Sequence, residues 1–258
     1  MAKQLIPEHV KDEMIRHPLT HQHHWVTARV KELALSWSKL ECFEQCPRKF
    51  FAMHITKVTP SDFSLPHLEF GKKIHSALEH RIMQGKPMRG DAKRFQPYAD
   101  GLLKMTGNMA LQTPIICEQN WAIDATGKGC DYFGDTVFFR GKADVCFGAD
   151  GILYIYDWKT GQGKYPKPEQ LELLALIAKG QPQLREYTKV SGSLIFIEAN
   201  KKVTVNVGLN DQQHSNLMST YLEKAIGIID CYEHDDWAMN ESPLCKFCPV
   251  KSCVYNGG

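Results

Sequence analysis

Gly141-Lys142-Ala143-Asp144-Val145-Cys146-Phe147-Gly148-Ala149-Asp150-Gly151-Ile152-Leu153-Tyr154-Ile155-Tyr156-Asp157-Trp158-Lys159 is the stretch whose reading decides the fold. The runs Val137 to Phe147 and Ile152 to Tyr156 are apolar, β-branched or aromatic, and Asp150-Gly151 between such runs is a strong hairpin signal. A two-residue turn pairs Ala149 with Ile152, Phe147 with Tyr154 and Asp144 with Asp157. The two aspartates then face each other with Cβ atoms about 5 Å apart, which opposes folding unless a positive charge lies between them. A hard divalent cation with oxygen ligands is the natural counter-charge. Strand side chains alternate, so Lys159 shares a face with Asp157 while Trp158 turns into the core.

One face thus carries two carboxylates and a lysine. That set suits phosphodiester hydrolysis, in which a metal delivers a water nucleophile and a cation offsets charge growing on the phosphate. A surface hairpin with a stray ion pair is the alternative reading of the same residues.

Gly141-x-x-Asp144, twelve residues, then Asp157-x-Lys159, followed by Thr160-Gly161 and by Gln170 at the start of a helix, resembles the PD-(D/E)XK nuclease superfamily. Within it the chain looks like the RecB-type branch that includes the AddB subunit nuclease and the CRISPR-adaptation nucleases, over roughly residues 36 to 258. The resemblance implies a restriction-endonuclease-like α/β core with a central mixed β-sheet flanked by helices. It also implies that Phe70-Gly71-Lys72-Lys73-Ile74-His75 is the motif helix and His75 the third metal ligand, beside Asp144 and Asp157. Phe70, Ile74 and Leu78 form a helical apolar stripe with His75 next to it. The family uses a glutamine at the position of Gln170 beside the catalytic lysine, here Lys159. Its usual tyrosine four positions later is replaced by Leu174. Glu118, in the run Ile115 to Ile123, is a minor candidate for a further carboxylate, and His80, His21, His23 and His24 read as solvated.

Cysteine placement is the second signal. Nine cysteines, an odd count without a signal peptide, do not read as a disulfide framework. Cys245, Cys248 and Cys253 form a three-thiolate cluster that asks for a soft metal. The resemblance supplies Cys46 as the fourth ligand and a four-iron, four-sulfur cluster as the metal centre, with Cys42 as a fallback ligand. The spacing from Cys248 to Cys253 is one residue shorter than is usual in the family, and four thiolates also suit zinc. Either metal would clasp the N- and C-terminal parts across about two hundred residues, a closure worth on the order of 5 kcal/mol. Cys117, Cys130, Cys146 and Cys231 read as buried or part-buried thiols.

Residues 1–33 read as an extension with a helix from Pro7 to Arg16, and 34–258 as the nuclease domain, including the cysteine cluster 245–253. Ser38-Lys39-Leu40-Glu41 is a capping-box pattern for a helix ending near Cys46. A helical stretch is expected around Ala92 to Leu111. Strands are expected near 115–123, 136–147, 152–159, 192–199 and 203–207, and a long helix from Asp211 to Tyr232. The absence of any apolar run long enough for a signal or a span implies a cytosolic protein that makes no use of a membrane.

A net charge of +2 does not by itself announce a nucleic-acid binder, but Arg48, Lys49, Lys72, Lys73, Arg81, Lys164 and Lys167 cluster around the motifs. The expectation is a Mg²⁺- or Mn²⁺-dependent deoxyribonuclease, an exonuclease of recombination, repair or phage replication. His75, Asp144 and Asp157 would hold the metal, and Asp144, Asp157, Lys159 and Gln170 would do the catalytic work. DNA is the expected partner; no Gly-rich loop ending in Gly-Lys-Ser/Thr is present, so any helicase would be a separate chain. The rival is a non-catalytic DNA-binding or assembly subunit that keeps the fold.

Overall fold

The computed structural model describes residues 33–57 and 66–256; the expected helix Pro7 to Arg16 and the His21, His23, His24 cluster lie outside the described residues. In chain order the elements are α1 (Trp37–Gln45), α2 (Pro47–Phe50), a π-helical turn (Phe51–Ile55), α3 (Pro66–Gln84), a 3₁₀ turn (Gly90–Phe95) and α4 (Gln96–Thr106). Then follow β1 (Ile116–Ile123), β2 (Phe139–Ala149), β3 (Ile152–Lys159), α5 (Glu169–Lys179), β4 (Lys189–Phe196), β5 (Lys201–Gly208), α6 (Asp211–His234) and a 3₁₀ turn (Cys245–Phe247).

The hairpin forms as its sequence dictates. Asp150 and Gly151 both adopt positive φ, 52° and 74°, as a type I′ turn requires, and Ala149 pairs with Ile152 and Phe147 with Tyr154. The strands lie in sequence order, antiparallel except for the parallel pair β3 and β4, which α5 connects. This is the expected α/β core, a mixed sheet flanked by helices. Trp158 is buried, on the face opposite Asp157 and Lys159, as strand alternation requires.

Each sheet face has its own core. On one, Cys146, Leu153, Ile155 and Leu194 pack with Leu171, Leu174 and Ile177 of α5 and with Tyr221 and Leu222 of α6. On the other, Val145, Phe147, Tyr156 and Trp158 meet Ile74 and Leu78 of α3 and Ala99 and Leu102 of α4. The Ile74 and Leu78 stripe is thus buried, which fixes the rotation of α3 about its axis and with it the position of His75.

Several boundaries differ from expectation. The helical stretch near Ala92 to Leu111 divides into a 3₁₀ turn and α4, because Pro97 suits a first turn and cannot donate to a preceding one. Ser38 lies inside α1, whose N-cap is Ser36, and neither serine caps the helix through its side chain. The capping box is instead in α6, where Asn210 and Gln213 satisfy each other's backbone.

The two ends of the described chain meet, but not through a metal. Cys46, Cys245, Cys248 and Cys253 line a cavity of about 420 Å³, yet no three of their sulfurs lie within 4.8 Å of one another, and all are free thiols. Cys245 Sγ instead accepts from the Ser242 amide at 3.3 Å, and Cys253 Sγ contacts Met239 Sδ at 3.9 Å. The expected four-cysteine clasp, with its iron-sulfur or zinc centre, is therefore corrected: the one grouping of metal-ligating side chains among the described residues lies elsewhere. Cys42, the fallback ligand, is a core side chain whose thiol burial pushes up to about 11. What joins the ends is aromatic packing of Trp237 on Phe50 and Phe51, with centroids 6.0 and 5.0 Å away, and the Arg48 amide donating to Ala238 at 3.0 Å.

Gly141 shows how closely the α5 layer approaches the hairpin. A Cβ there would lie 2.9 Å from Leu174 Cδ1 and 3.4 Å from Ile177 Cδ1. We predict that Gly141→Ala lowers unfolding free energy by about 1–3 kcal/mol through overpacking. Leu174→Ala should cost less in that background than alone, which a double-mutant cycle by urea denaturation would measure; equal costs in both backgrounds would refute the contact.

Candidate metal centre

Asp144 is where the sheet parts. The β1·β2 ladder runs through Cys117 and Val145 and resumes at Gln119 and Ala143, while the β2·β3 ladder ends at Val145 and Tyr156. Asp144 is skipped by both, so it is not the ladder partner of Asp157 that the hairpin register predicts. Its Oδ2 instead accepts from the Trp158 backbone N–H at 2.7 Å. The aspartates remain neighbours, each almost wholly buried.

Opposite Asp144 on β1 stands Glu118, whose φ is +55°. A left-handed glutamate inside a strand costs about 1–2 kcal/mol. This break in the strand redirects its side chain toward the site, much as bulges do next to active sites. From the other side α3 brings His75, with Nδ1 3.3 Å from Asp144 Oδ1. One ligand atom each from His75, Glu118 and Asp144 lies within 4.8 Å of the others. A nitrogen and two carboxylates at that separation fit a divalent cation. Gly71, one turn before His75, would carry a Cβ 3.5 Å from Thr160 Oγ1, so α3 runs close to the chain leaving β3.

Asp157 stands beside this triad and outside the grouping. Gln170 Nε2, at the start of α5, donates to its Oδ1 at 2.6 Å, and the Lys159 ammonium lies 2.7 Å from its Oδ2. The buried Asp157 Oδ2 thus has the Lys159 ammonium as its counter-charge. Burial pushes the Asp157 carboxyl up to about 6; Lys159 opposes the rise and Asp144 adds to it. For His75, burial works against the imidazolium, but the hydrogen bond and charge of Asp144 outweigh it and the pKa is raised.

The structure thus draws together His75, Asp144, Asp157, Lys159 and Gln170. Leu174, where the family has tyrosine, is core against Gly141. His80 is exposed, and burial pushes the Cys117 and Cys146 thiols up to about 12. Sequence reasoning undervalued Glu118. The connection from Asp124 to Phe138 is too long to set the β1 register, and nothing local announces a left-handed glutamate.

Of the basic residues that cluster around the motifs, four are paired with carboxylates. Lys72 is paired with Glu69, Lys73 with Asp91, Arg81 with Asp100 and Lys167 with Glu41. Arg140 and Lys142, one turn of the pleat apart on β2, instead line a cleft of about 240 Å³ that also reaches Lys159 and Gln170. Lys142 forms an ion pair with Glu118.

The profile of the PD-(D/E)XK nuclease superfamily matches residues 34–253. No curated protein matches the chain. Eighteen solved chains do. One, described as "Crystal structure of SSO0001", is 15% identical, with 97% of this chain and 96% of that chain covered and a TM-score of 0.42. No helix among the described residues is long and apolar enough to cross a membrane.

Asp157 yields a pH prediction. Its folded pKa of about 6 exceeds the ordinary aspartate value of 3.8, so the unfolded state releases the proton first and stability falls as pH rises between them. In EDTA, the wild type should therefore lose on the order of 2 kcal/mol relative to Asp157→Asn between pH 4 and 7. Parallel stability profiles by chemical denaturation would rule this out.

Proposed function

The chain belongs to the PD-(D/E)XK nuclease superfamily, and on that premise we propose that it is a Mg²⁺- or Mn²⁺-dependent deoxyribonuclease acting at strand ends. The observation that carries this reading is the convergence of His75, Glu118 and Asp144 beside the buried Asp157 and Lys159 pair. A cleft of about 240 Å³ that reaches Lys159 and Gln170 opens next to it. A divalent cation there would polarise a phosphoryl oxygen and acidify a water.

The protein side chains have distinct tasks. Asp144, Glu118 and His75 would hold the cation, and Asp157 would add an oxygen as the Lys159 ammonium leaves its Oδ2. The Trp158 amide fixes the Asp144 carboxylate, and Gln170 fixes that of Asp157. Lys159 is one-third exposed and faces the cleft, so its ammonium is free to turn from Asp157 to a phosphate whose charge grows during attack. The imidazole nitrogen makes the donor set softer than an all-oxygen one, which favours Mn²⁺ over Mg²⁺.

The test is cleavage of end-labelled single- and double-stranded DNA with Mg²⁺, Mn²⁺ or EDTA. Asp144→Asn, Asp157→Asn and His75→Ala should each reduce turnover on the order of a thousandfold or more without unfolding the protein. Near-wild-type cleavage in any of them would sink the assignment. No cleavage by the wild type under any condition would leave a non-catalytic DNA-binding subunit.

For Lys159→Ala, we expect kcat to fall about 10²- to 10³-fold while KM changes little, since its interaction strengthens only as charge develops. A raised KM at unchanged kcat would make it a binding residue instead. Apparent metal affinity should be higher for Mn²⁺ than for Mg²⁺, and His75→Ala should narrow the difference; a difference that survives the change would remove the imidazole from the donor set.

A further inference from the structure

The cleft beyond Lys159 has a composition of its own. Trp37, Leu173 and Ile177 give it an apolar floor, and Arg140, Lys142 and Lys159 a cationic rim, with no carboxylate among its lining residues. Two of the three cations are engaged: Lys159 with Asp157 and Lys142 with Glu118. Arg140 lies over the Tyr132 ring, 5.2 Å from its centroid, and has no carboxylate partner among the described residues. The Ser36 and Ser38 hydroxyls, 3.1 Å apart, stand at the same rim.

An apolar floor with an unneutralised guanidinium at the edge fits a group with a flat apolar body and an anionic end. A nucleotide unit has that form, and bases stack on aromatic side chains without regard to sequence. We propose that this cleft is the subsite for the nucleotide next to the phosphodiester that is cut, with its base on the Trp37 side and its phosphate on Arg140. The proposal rests on the nuclease reading for the identity of its occupant. The cation excess extends behind the rim: Lys39 of α1, held by the Leu33 and Ala34 carbonyls, has its pKa lowered to about 8, first by burial and then by Arg140. A phosphate at Arg140 relieves that repulsion.

The experiment is an anisotropy titration of fluorescent oligothymidylate over a range of NaCl concentrations, in the Asp157→Asn background to silence cleavage. Arg140→Gln should weaken binding about tenfold and reduce the slope of log affinity against log salt by about 0.7, the value for one phosphate contact on a single strand. Trp37→Ala should weaken it by a similar factor, about tenfold, and leave the salt slope unchanged, because stacking releases no counterions. Arg140→Lys, which keeps the charge, should retain the slope and guards against a loss of fold. Unchanged affinity in folded Arg140→Gln, or no binding by the background protein at all, would overturn the subsite. The two readings fail separately: a wild type that cleaves nothing yet binds oligothymidylate through Arg140 and Trp37 removes the nuclease and keeps the subsite, whereas cleavage and binding indifferent to both residues do the reverse.

Discussion

Three carboxylates gathered where a sheet parts are the constraint around which the remaining structure is arranged. Like charges at that separation repel, and burial deepens the cost because little water remains to screen them. Each is met by a different partner: Asp144 by the Trp158 amide and His75, Glu118 by Lys142, and Asp157 by Gln170 and Lys159. Those partners come from α3, from β2, from β3 and from the first turn of α5. The position of α3 is thus tied to the site through His75 and to the core through Ile74 and Leu78. The parallel crossover from β3 to β4 matters equally, since it delivers Gln170 back to the end of the strand that carries Asp157. Crevices at the carboxyl ends of parallel strands are where open α/β sheets bind ligands.

The packing that supports this arrangement is asymmetric. On the α5 side the glycine at 141 lets a helix settle directly against the strand, and Leu174 fills the space. On the α3 side stacked aromatics, Phe147 with Tyr154 and Tyr156, stiffen the hairpin. The chain termini of the described region are united by Trp237 against two phenylalanines, an apolar contact that performs the joining role expected of the cysteines.

Much of this was legible in the sequence for identifiable reasons. Asp150-Gly151 sets the β2·β3 register by itself, since both residues tolerate positive φ, and the strand period then assigns Asp157, Lys159 and Trp158 to their faces. The inward stripe of α3 is visible as Phe70, Ile74 and Leu78, of which Ile74 and Leu78 are buried. What failed was non-local. The lapse of pairing at Asp144 depends on three strands at once, and Glu118 enters only through the register of a strand joined by a long connection. Cysteine spacing suggested a metal because sequence places thiols near one another in the chain, but it says nothing of where the sulfurs point. Four of the seven basic residues near the motifs, Lys72, Lys73, Arg81 and Lys167, are paired with carboxylates, a competition that counting charges cannot resolve.

The left-handed backbone of Glu118 narrows the evolutionary options at this position. Glycine would relieve the strain and abolish the carboxylate, a change favourable to the fold and adverse to the site. Asparagine and aspartate tolerate the conformation, but their shorter side chains fall back from His75 and Asp144. Alanine or a β-branched residue would keep the strain and give nothing in return. Drift at residue 118 therefore has few neutral steps, and a lineage that stopped using the metal would be expected to record the change there early, as a return to ordinary strand geometry.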